Sequence, residues 1–170
     1  MKRTVPILLL LCGSASADTL TLAPVPSASE PNVVGSKAVC KGDNDFLRVA
    51  RTKLDGHEVL VLGDCAGTHS YLALETKSGW TRFVSAPGWG SVTSTKLKKR
   101  DVLLHRIDTY VDQDKSTSRV DLCVYDDKAG TPSCGSAEVE CPETGCREPE
   151  IIKGALWMHA AGGRKRFLID

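Results

Sequence analysis

Residues 46–62, FLRVARTKLDGHEVLVL, contain the pattern that decides the fold. Two segments rich in apolar residues, Phe46 to Thr52 and His57 to Leu62, stand on either side of an Asp-Gly pair. Asp-Gly is a preferred dipeptide of two-residue hairpin turns, because it tolerates the positive φ angles that these turns require. The stretch therefore predicts two antiparallel strands joined by a tight turn.

Similar short segments recur through the rest of the chain, separated by clusters of Gly, Pro, Asp or Asn. Their Val and Ile content favours strands, and no window sustains the 3.6-residue period of an amphipathic helix. The further predicted strands cover residues 70–76, 80–85, 102–110, 119–125, 151–159 and 164–169. We therefore predict an all-β fold, an antiparallel sandwich or small barrel of about seven to nine strands, in a single domain over residues 37–170.

The chain begins with the features of a secretory signal peptide. A basic start at Lys2 and Arg3 is followed by an apolar run and by small residues that end at Ala17, the pattern of a leader and its cleavage site. We predict a signal peptide over residues 1–17 and a mature chain that begins at Asp18. The predicted location is secreted or periplasmic.

Cys12 supplies an alternative interpretation of the same leader. The run from Leu9 to Cys12 resembles a bacterial lipobox, in which the cysteine is lipidated and becomes the first residue. That motif has Gly or Ala directly before the cysteine, where this chain has Leu11. Cleavage after Ala17 is therefore the preferred prediction, and a lipid anchor through Cys12 is the alternative.

The low net charge of the chain argues against a nucleic-acid partner. The whole chain carries a formal charge of +1, and removal of Lys2 and Arg3 lowers it by two, to −1. Nucleic-acid binders need a surplus of basic residues for phosphate contacts, so we predict no nucleic-acid partner. After the leader no apolar run approaches the ~20 residues of a membrane helix, so we predict no later transmembrane segment.

Residues 18–36 have the composition of a linker. Pro24, Pro26 and Pro31 are interspersed with serines, and the apolar residues show little periodicity. Such a segment cannot bury much apolar surface, so we predict a flexible Pro/Ser-rich lead-in to the domain.

The cysteines after the leader are even in number: Cys40, Cys65, Cys123, Cys134, Cys141 and Cys146. In an oxidising compartment such a set predicts disulfides. Structural zinc sites usually bring cysteines in pairs about two to four residues apart. The intervals between Cys123, Cys134, Cys141 and Cys146 are wider, which argues against a zinc site. Pairing of sequence neighbours would staple adjacent strands or close small loops. We therefore expect the disulfides Cys40–Cys65, Cys123–Cys134 and Cys141–Cys146.

Two features indicate a binding surface. Trp89 stands in a Pro-Gly turn without evident strand neighbours, and exposed aromatic residues stack on sugars or anchor protein partners. A basic run that could attract an anionic surface follows it: Lys96, Lys98, Lys99 and Arg100. The partner class predicted from these residues is a protein or polysaccharide at the cell envelope. Burial of Trp89 in the core, and an exposed strand for the basic run, are the alternatives.

A polar run indicates a possible calcium loop. Oxygen ligands at alternate positions can turn inward around Ca²⁺, and the candidates are Asp112, Asp114, Ser116 and Asp121. The run resembles the Asp-x-Asp-x-Asp-Gly loop of FG-GAP repeats, although Ser116 replaces the third carboxylate and Thr117 the glycine. A solvated turn between strands is the alternative. Calcium is the only cofactor that the sequence suggests.

No linear catalytic motif is present, which favours a non-catalytic exported binding or structural module. A secreted hydrolase with dispersed residues remains an alternative, because triads assembled from distant positions leave no linear trace. The residues to test would be Asp64, His69, His105 and Asp108. A calcium-stabilised structural protein is a further alternative.

Overall fold

The computed structural model describes residues 17–25, 28–29, 46–77, 79–88, 90–112 and 115–170. Within these ranges the chain forms strands and no helix, which confirms the all-β prediction. The strands are β1 (Asp18–Leu20), β2 (Ala23–Pro24), β3 (Ala28–Ser29), β4 (Phe46–Leu54), β5 (His57–Asp64), β6 (His69–Thr76), β7 (Gly79–Pro87), β8 (Gly90–Leu97), β9 (Arg100–Asp112), β10 (Lys115–Asp126), β11 (Thr131–Glu140), β12 (Glu150–Ile152), β13 (Ala155–Ala160) and β14 (Gly163–Ile169).

The strands form three sheets. The N-terminal sheet has the order β3-β7-β6-β5-β4, the central sheet β2-β11-β10-β9-β8, and the C-terminal sheet β1-β14-β13-β12. The described pairs are antiparallel except for β1 and β14, which run parallel. Because most neighbours in a sheet are also neighbours in sequence, short turns suffice to connect them.

The hairpin predicted from residues 46–62 is present. β4 and β5 pair with Leu54 opposite His57. Asp55 and Gly56 form the turn with φ angles of 46° and 86°, the positive values that a two-residue hairpin turn needs. Gly56 accepts this conformation without steric cost, which explains why the dipeptide is Asp-Gly.

The other predicted strands are present, but one of them is split in two and the structure contains further strands that were not predicted. The strand predicted over residues 151–159 is split into β12 and β13, because Lys153 and Gly154 have φ angles of 50° and 78° and reverse the chain. β8 and β11 were not predicted, since their small polar residues lack an apolar alternation. With these and the short N-terminal strands, the described part of the chain holds fourteen strands rather than seven to nine.

The central sheet is covered on both faces. On β9, Val102 and Leu104 pack with residues of the C-terminal sheet, whereas Leu103 packs with residues of the N-terminal sheet. Neighbouring residues of a strand point to opposite faces, so this division shows one cluster on each face. On β10, Leu122 and Cys123 divide in the same way. Consequently β9 and β10 contain long buried runs rather than a simple alternation.

Part of the segment predicted as a flexible linker is instead paired with the domain. β1 pairs with β14, β2 with β11, and β3 with β7. Leu20 is buried in the cluster between the central and C-terminal sheets. These strands were not predicted, because each is too short to show the two-residue alternation and the surrounding prolines and serines are typical of a linker. This correction concerns residues 18–25 and 28–29, and the remainder of the predicted linker lies outside the described ranges.

Two disulfides connect parts of the central region. Cys123–Cys134 joins directly opposite positions of β10 and β11, and Cys141–Cys146 closes the loop after β11. Both match the predicted pairing. Cys65 is disulfide-bonded, and its predicted partner Cys40 lies outside the described residues. The predicted leader up to residue 16 lies outside them too. Among the residues that are described, no helix has the length and apolar character needed to cross a membrane.

Candidate functional site

Three polar side chains form a connected chain between two sheets. Ser70 lies on β6 of the N-terminal sheet, and His105 and Asp121 lie opposite each other on β9 and β10 of the central sheet. Ser70 Oγ is 3.0 Å from His105 Nε2. His105 Nδ1 is 3.5 Å from Asp121 Oδ2. We call these residues the Ser70–His105–Asp121 relay.

The relay is almost completely buried. The exposed fractions are 2% for Ser70, 0% for His105 and 2% for Asp121. The 3.5 Å approach of His105 to Asp121 is too long for a good hydrogen bond. Neither His105 Nδ1 nor Asp121 Oδ2 has another hydrogen-bond partner within the described ranges. Asp121 Oδ1 accepts hydrogen bonds from Arg119 Nη2, at 2.8 Å, and from Ser136 Oγ.

These contacts keep Asp121 ionised. Burial alone would raise the pKa of Asp121, but the proximity of His105 and the hydrogen bonds from Ser136 and Arg119 hold it below its usual value. Arg119 supplies the compensating positive charge, and its side chain is partly exposed. The relay thus connects the core between the N-terminal and central sheets to a cation near the surface.

The order of these groups is that of a nucleophile, a base and an acid that orients the base. A hydrolytic serine must meet a substrate carbonyl, whereas the Ser70 hydroxyl lies in the core. The β8 backbone closes one side of the imidazole, since a Cβ atom added to Gly90 would lie 2.6 Å from His105 Nε2. This geometry fits a buried polar link between sheets better than an open active site.

The sequence predictions did not bring these three residues together. Ser70 was assigned to no site, and Asp121 was assigned to the calcium loop. The pattern that could have identified them is strand register, because residues two apart share a face of a sheet. Ser70 precedes the core residue Leu72 by two positions, and His105 follows the core residue Leu103 by two.

Asp64 organises the turn that precedes β6. Its Oδ1 accepts hydrogen bonds from the backbone N–H groups of Thr68, at 2.6 Å, and His69, at 3.0 Å. Thr68 Oγ1 donates to Oδ2 at 2.5 Å. The Thr68 hydroxyl is the largest cause that lowers the pKa of Asp64, to about 2, and the backbone donors act in the same direction. Asp64 therefore serves the turn as an anion and hydrogen-bond acceptor at neutral pH.

The four residues suggested for hydrolysis belong to three different contacts. His69 Nδ1 is 3.4 Å from Asp64 Oδ2 within the turn, and His105 belongs to the relay. Asp108 accepts two hydrogen bonds from Arg106 Nε, at 2.9 and 3.1 Å. Burial raises the pKa of Asp108, while the Arg106 contacts lower it below its usual value. Each carboxylate is thus engaged by its own local partner.

The basic run that was predicted to bind a partner is the turn between β8 and β9. Lys96 forms an ion pair with Asp101, and Arg100 lies 3.4 Å from Asp55 and 3.6 Å from Asp127. These acids neutralise two of the four predicted cations. Lys98 and Lys99, also predicted to bind, are exposed at the turn. Trp89 lies outside the described residues.

The predicted calcium ligands are spread along the β9–β10 hairpin. Asp112 pairs across the strands with Lys115, and Ser116 with Tyr110. Asp121 lies five residues farther along β10, inside the relay. Asp114 is outside the described residues. In the part of the chain that the structure describes, no three His, Cys, Asp or Glu side chains converge in a way that could hold a metal ion.

The outer face of the C-terminal sheet carries an aromatic and basic cleft that the sequence predictions missed. The Arg164 guanidinium carbon lies 5.0 Å, and that of Arg166 5.8 Å, from the centre of the Trp157 ring. The cleft has a volume of about 440 Å³. We call it the Trp157 cleft, and its lining residues are Trp157, Ala160, Gly162, Gly163, Arg164, Lys165 and Arg166.

No protein-family model, curated protein or solved structure matches this chain.

Proposed function

We propose that this chain is an exported, non-catalytic binding module of the cell envelope or the extracellular space. Its binding surface is the Trp157 cleft. The observation that carries the proposal is the stacking of Arg164 and Arg166 on the Trp157 ring in a concave site of about 440 Å³. Binding sites of small ligands have volumes of about 300–1,000 Å³ and combine apolar walls with a few polar groups.

Oxidised cysteines support the export part of the proposal. Cys123–Cys134 and Cys141–Cys146 are disulfides, and disulfides persist in oxidising compartments outside the cytosol. The predicted leader is consistent with them. Among the described residues the first strand begins at Asp18, the residue that the predicted cleavage would leave at the N-terminus.

The layered packing supports a rigid scaffold. Clusters on both faces of the central sheet favour a three-layer β-sandwich over a small closed barrel. In such a scaffold the outer face of an outer sheet is available for a partner while the inner faces form the core. The Trp157 cleft lies on this outer face, because Leu156 and Met158, on either side of Trp157 in β13, pack inward.

A pull-down experiment tests the proposal. The purified, unreduced protein is immobilised and incubated with polysaccharide and protein fractions from the envelope and the medium. We expect at least one fraction to bind the unaltered protein and to lose binding to the Trp157→Ala variant. Arg147→Ala is the matched control, because Arg147 is exposed and lies outside the cleft. Equal binding by all three proteins, or no binding at all, would reject this surface.

Hydrolysis with Ser70 as nucleophile is a second candidate, favoured by the 3.0 Å distance between Ser70 Oγ and His105 Nε2. Burial of the hydroxyl argues against it, since a substrate would have to displace part of the core. A fluorophosphonate probe separates the two candidates. We expect equal, background labelling of the unaltered protein and Ser70→Ala. Labelling that disappears in Ser70→Ala would establish the hydrolase instead.

A further inference from the structure

We propose that the Trp157 cleft binds a carboxylate-bearing sugar, such as the uronate residues of an acidic polysaccharide. This inference deepens the proposed function and rests on it. Three observations support it: the positions of Arg164 and Arg166 over Trp157, the ion pairs of the neighbouring charges, and the small residues that line the rest of the cleft.

Strand register fixes the two arginines over one aromatic ring. Trp157 on β13 is directly opposite Arg166 on β14, and Arg164 lies two residues earlier on the same face. A guanidinium stacked on an indole is attracted by the ring and keeps its N–H donors at its edge. Two such groups on one strand are spaced about 6–7 Å apart along it. The ring therefore pre-organises donors for a planar anion.

Of the three basic side chains that line the cleft, two form ion pairs with acidic residues. Arg164 Nη2 lies 2.7 Å from Glu150 Oε2, and Lys165 Nζ lies 2.7 Å from Asp18 Oδ2. Arg166 makes no ion pair with any described residue. Its guanidinium is thus the cation with unused hydrogen-bonding capacity. A carboxylate matches it in shape, because two parallel N–H···O bonds can form between the planar groups.

The remaining lining suits the apolar face of a sugar ring. Ala160, Gly162 and Gly163 form the floor at the turn between β13 and β14. A Cβ atom added to Gly162 or Gly163 would meet nothing within 4 Å, so this side of the cleft is open. Small residues here leave room for a ring to approach the guanidinium edges without a side chain in between.

The indole supplies a further unused donor. Trp157 Nε1 is buried and has no hydrogen-bond partner in the described part of the protein. Leaving a buried donor unpaired is unfavourable, so a contact with an acceptor at this position would be favourable.

The local charge pattern favours a uronate over a denser polyanion. Glu150 and Asp18 lie beside the arginine strand and would repel closely spaced phosphates or sulfates. Nucleic-acid sites instead depend on many uncompensated cations. A uronate polymer carries one carboxylate on each acidic ring, which matches one unpaired guanidinium and an adjoining apolar floor.

The test is a calorimetric titration of the purified, unreduced protein with a uronate oligosaccharide, with the same oligosaccharide after methyl esterification, and with inorganic phosphate. We expect the acid form to bind at least 10-fold more tightly than the ester, and phosphate not to compete. Arg166→Ala should weaken binding at least 10-fold. Arg166→Lys should restore only part of the affinity, because lysine keeps the charge and lacks the planar fork.

Arg147→Ala is the matched control, because Arg147 is likewise an exposed arginine but does not line the cleft. It should change affinity less than 3-fold, and far-ultraviolet circular dichroism should show that each variant is folded. Equal affinity for acid and ester, full affinity of Arg166→Ala, or competition by phosphate would overturn the uronate assignment. If an envelope fraction still binds through Trp157 in those cases, the proposed function survives. If nothing binds, both fail.

Discussion

His105 and Asp121 face each other directly across β9 and β10, with His105 Nδ1 3.5 Å from Asp121 Oδ2 and both side chains buried. Ser70 joins them from the N-terminal sheet through His105 Nε2. Burying an ionised carboxylate is costly unless its partners remain in place. The relay therefore makes the packing of two sheets depend on a small set of polar contacts.

Loss of the Asp121 carboxylate should destabilise the protein strongly. Asp121→Ala removes the carboxylate that faces His105 and accepts hydrogen bonds from Arg119 and Ser136, and leaving such buried partners unpaired costs roughly 1–3 kcal/mol. The free energy of unfolding in urea measures this change. Asp127→Ala is the control, because the Asp127 side chain is 81% exposed and should change stability by less than about 0.5 kcal/mol. Similar losses in the two variants would contradict the role assigned to the relay.

Lowering the pH should remove the contribution of ionised Asp64 to the stability of the folded protein. The pKa of Asp64 is about 2 in the folded protein and about 4 when unfolded, so the unfolded state binds more protons between these values. The stabilisation is present above pH 4 and is lost as the pH falls through 2. Unfolding free energies from pH 6 to pH 2 should show Asp64→Asn less stable than the unaltered protein, with the gap closing toward pH 2. A gap that does not vary with pH would rule out this linkage.

A side chain at Gly90 should disturb the contact between β8 and β9. A Cβ atom there would lie 2.6 Å from the Arg106 carbonyl oxygen and 2.6 Å from His105 Nε2. Gly90→Ala should therefore cost about 1–3 kcal/mol, the usual range for overpacking. Gly162→Ala, where nothing lies within 4 Å, is the matched control in thermal unfolding. The prediction fails if the two melting temperatures fall equally.

The two disulfides should contribute unequally to the free energy of unfolding. Cys123 and Cys134 are 11 residues apart, whereas Cys141 and Cys146 are five apart. In the chain-entropy model longer loops give more stabilisation, about 3 kcal/mol for the first and about 2 kcal/mol for the second. Replacing each pair by alanines and measuring urea unfolding tests the order. A larger loss from the Cys141–Cys146 pair would contradict it.

The fold was predictable where local chemistry decides it. Asp55-Gly56 specifies a turn whose geometry fixes the register of β4 and β5, so neighbouring residues sufficed. β1 and β2 were not predictable in this way, because they are held by pairing with β14 and β11, far along the sequence. Leu20 and Leu22 gave the local indication, two alternate apolar residues that pack in the same core cluster.

The candidate sites were less predictable because they depend on contacts between sheets or across a hairpin. Ser70 and His105 are 35 residues apart and on different sheets, so no spacing rule connects them. Trp157 and Arg166 are different, since the predicted closing hairpin places them close together on one face. Their pairing could have been derived from a turn at Ala161–Gly162, by counting the opposite residues back along the two strands.

The most direct test of the account is a map of backbone amide chemical shifts in the ¹⁵N-labelled, unreduced protein during titration with the envelope polysaccharide fraction. Binding at the Trp157 cleft predicts saturable shifts concentrated on β13, β14 and their turn, including the backbone amides of Trp157 and Arg166. Shifts confined to the β8–β9 turn or to the Asp64–His69 turn would contradict the account.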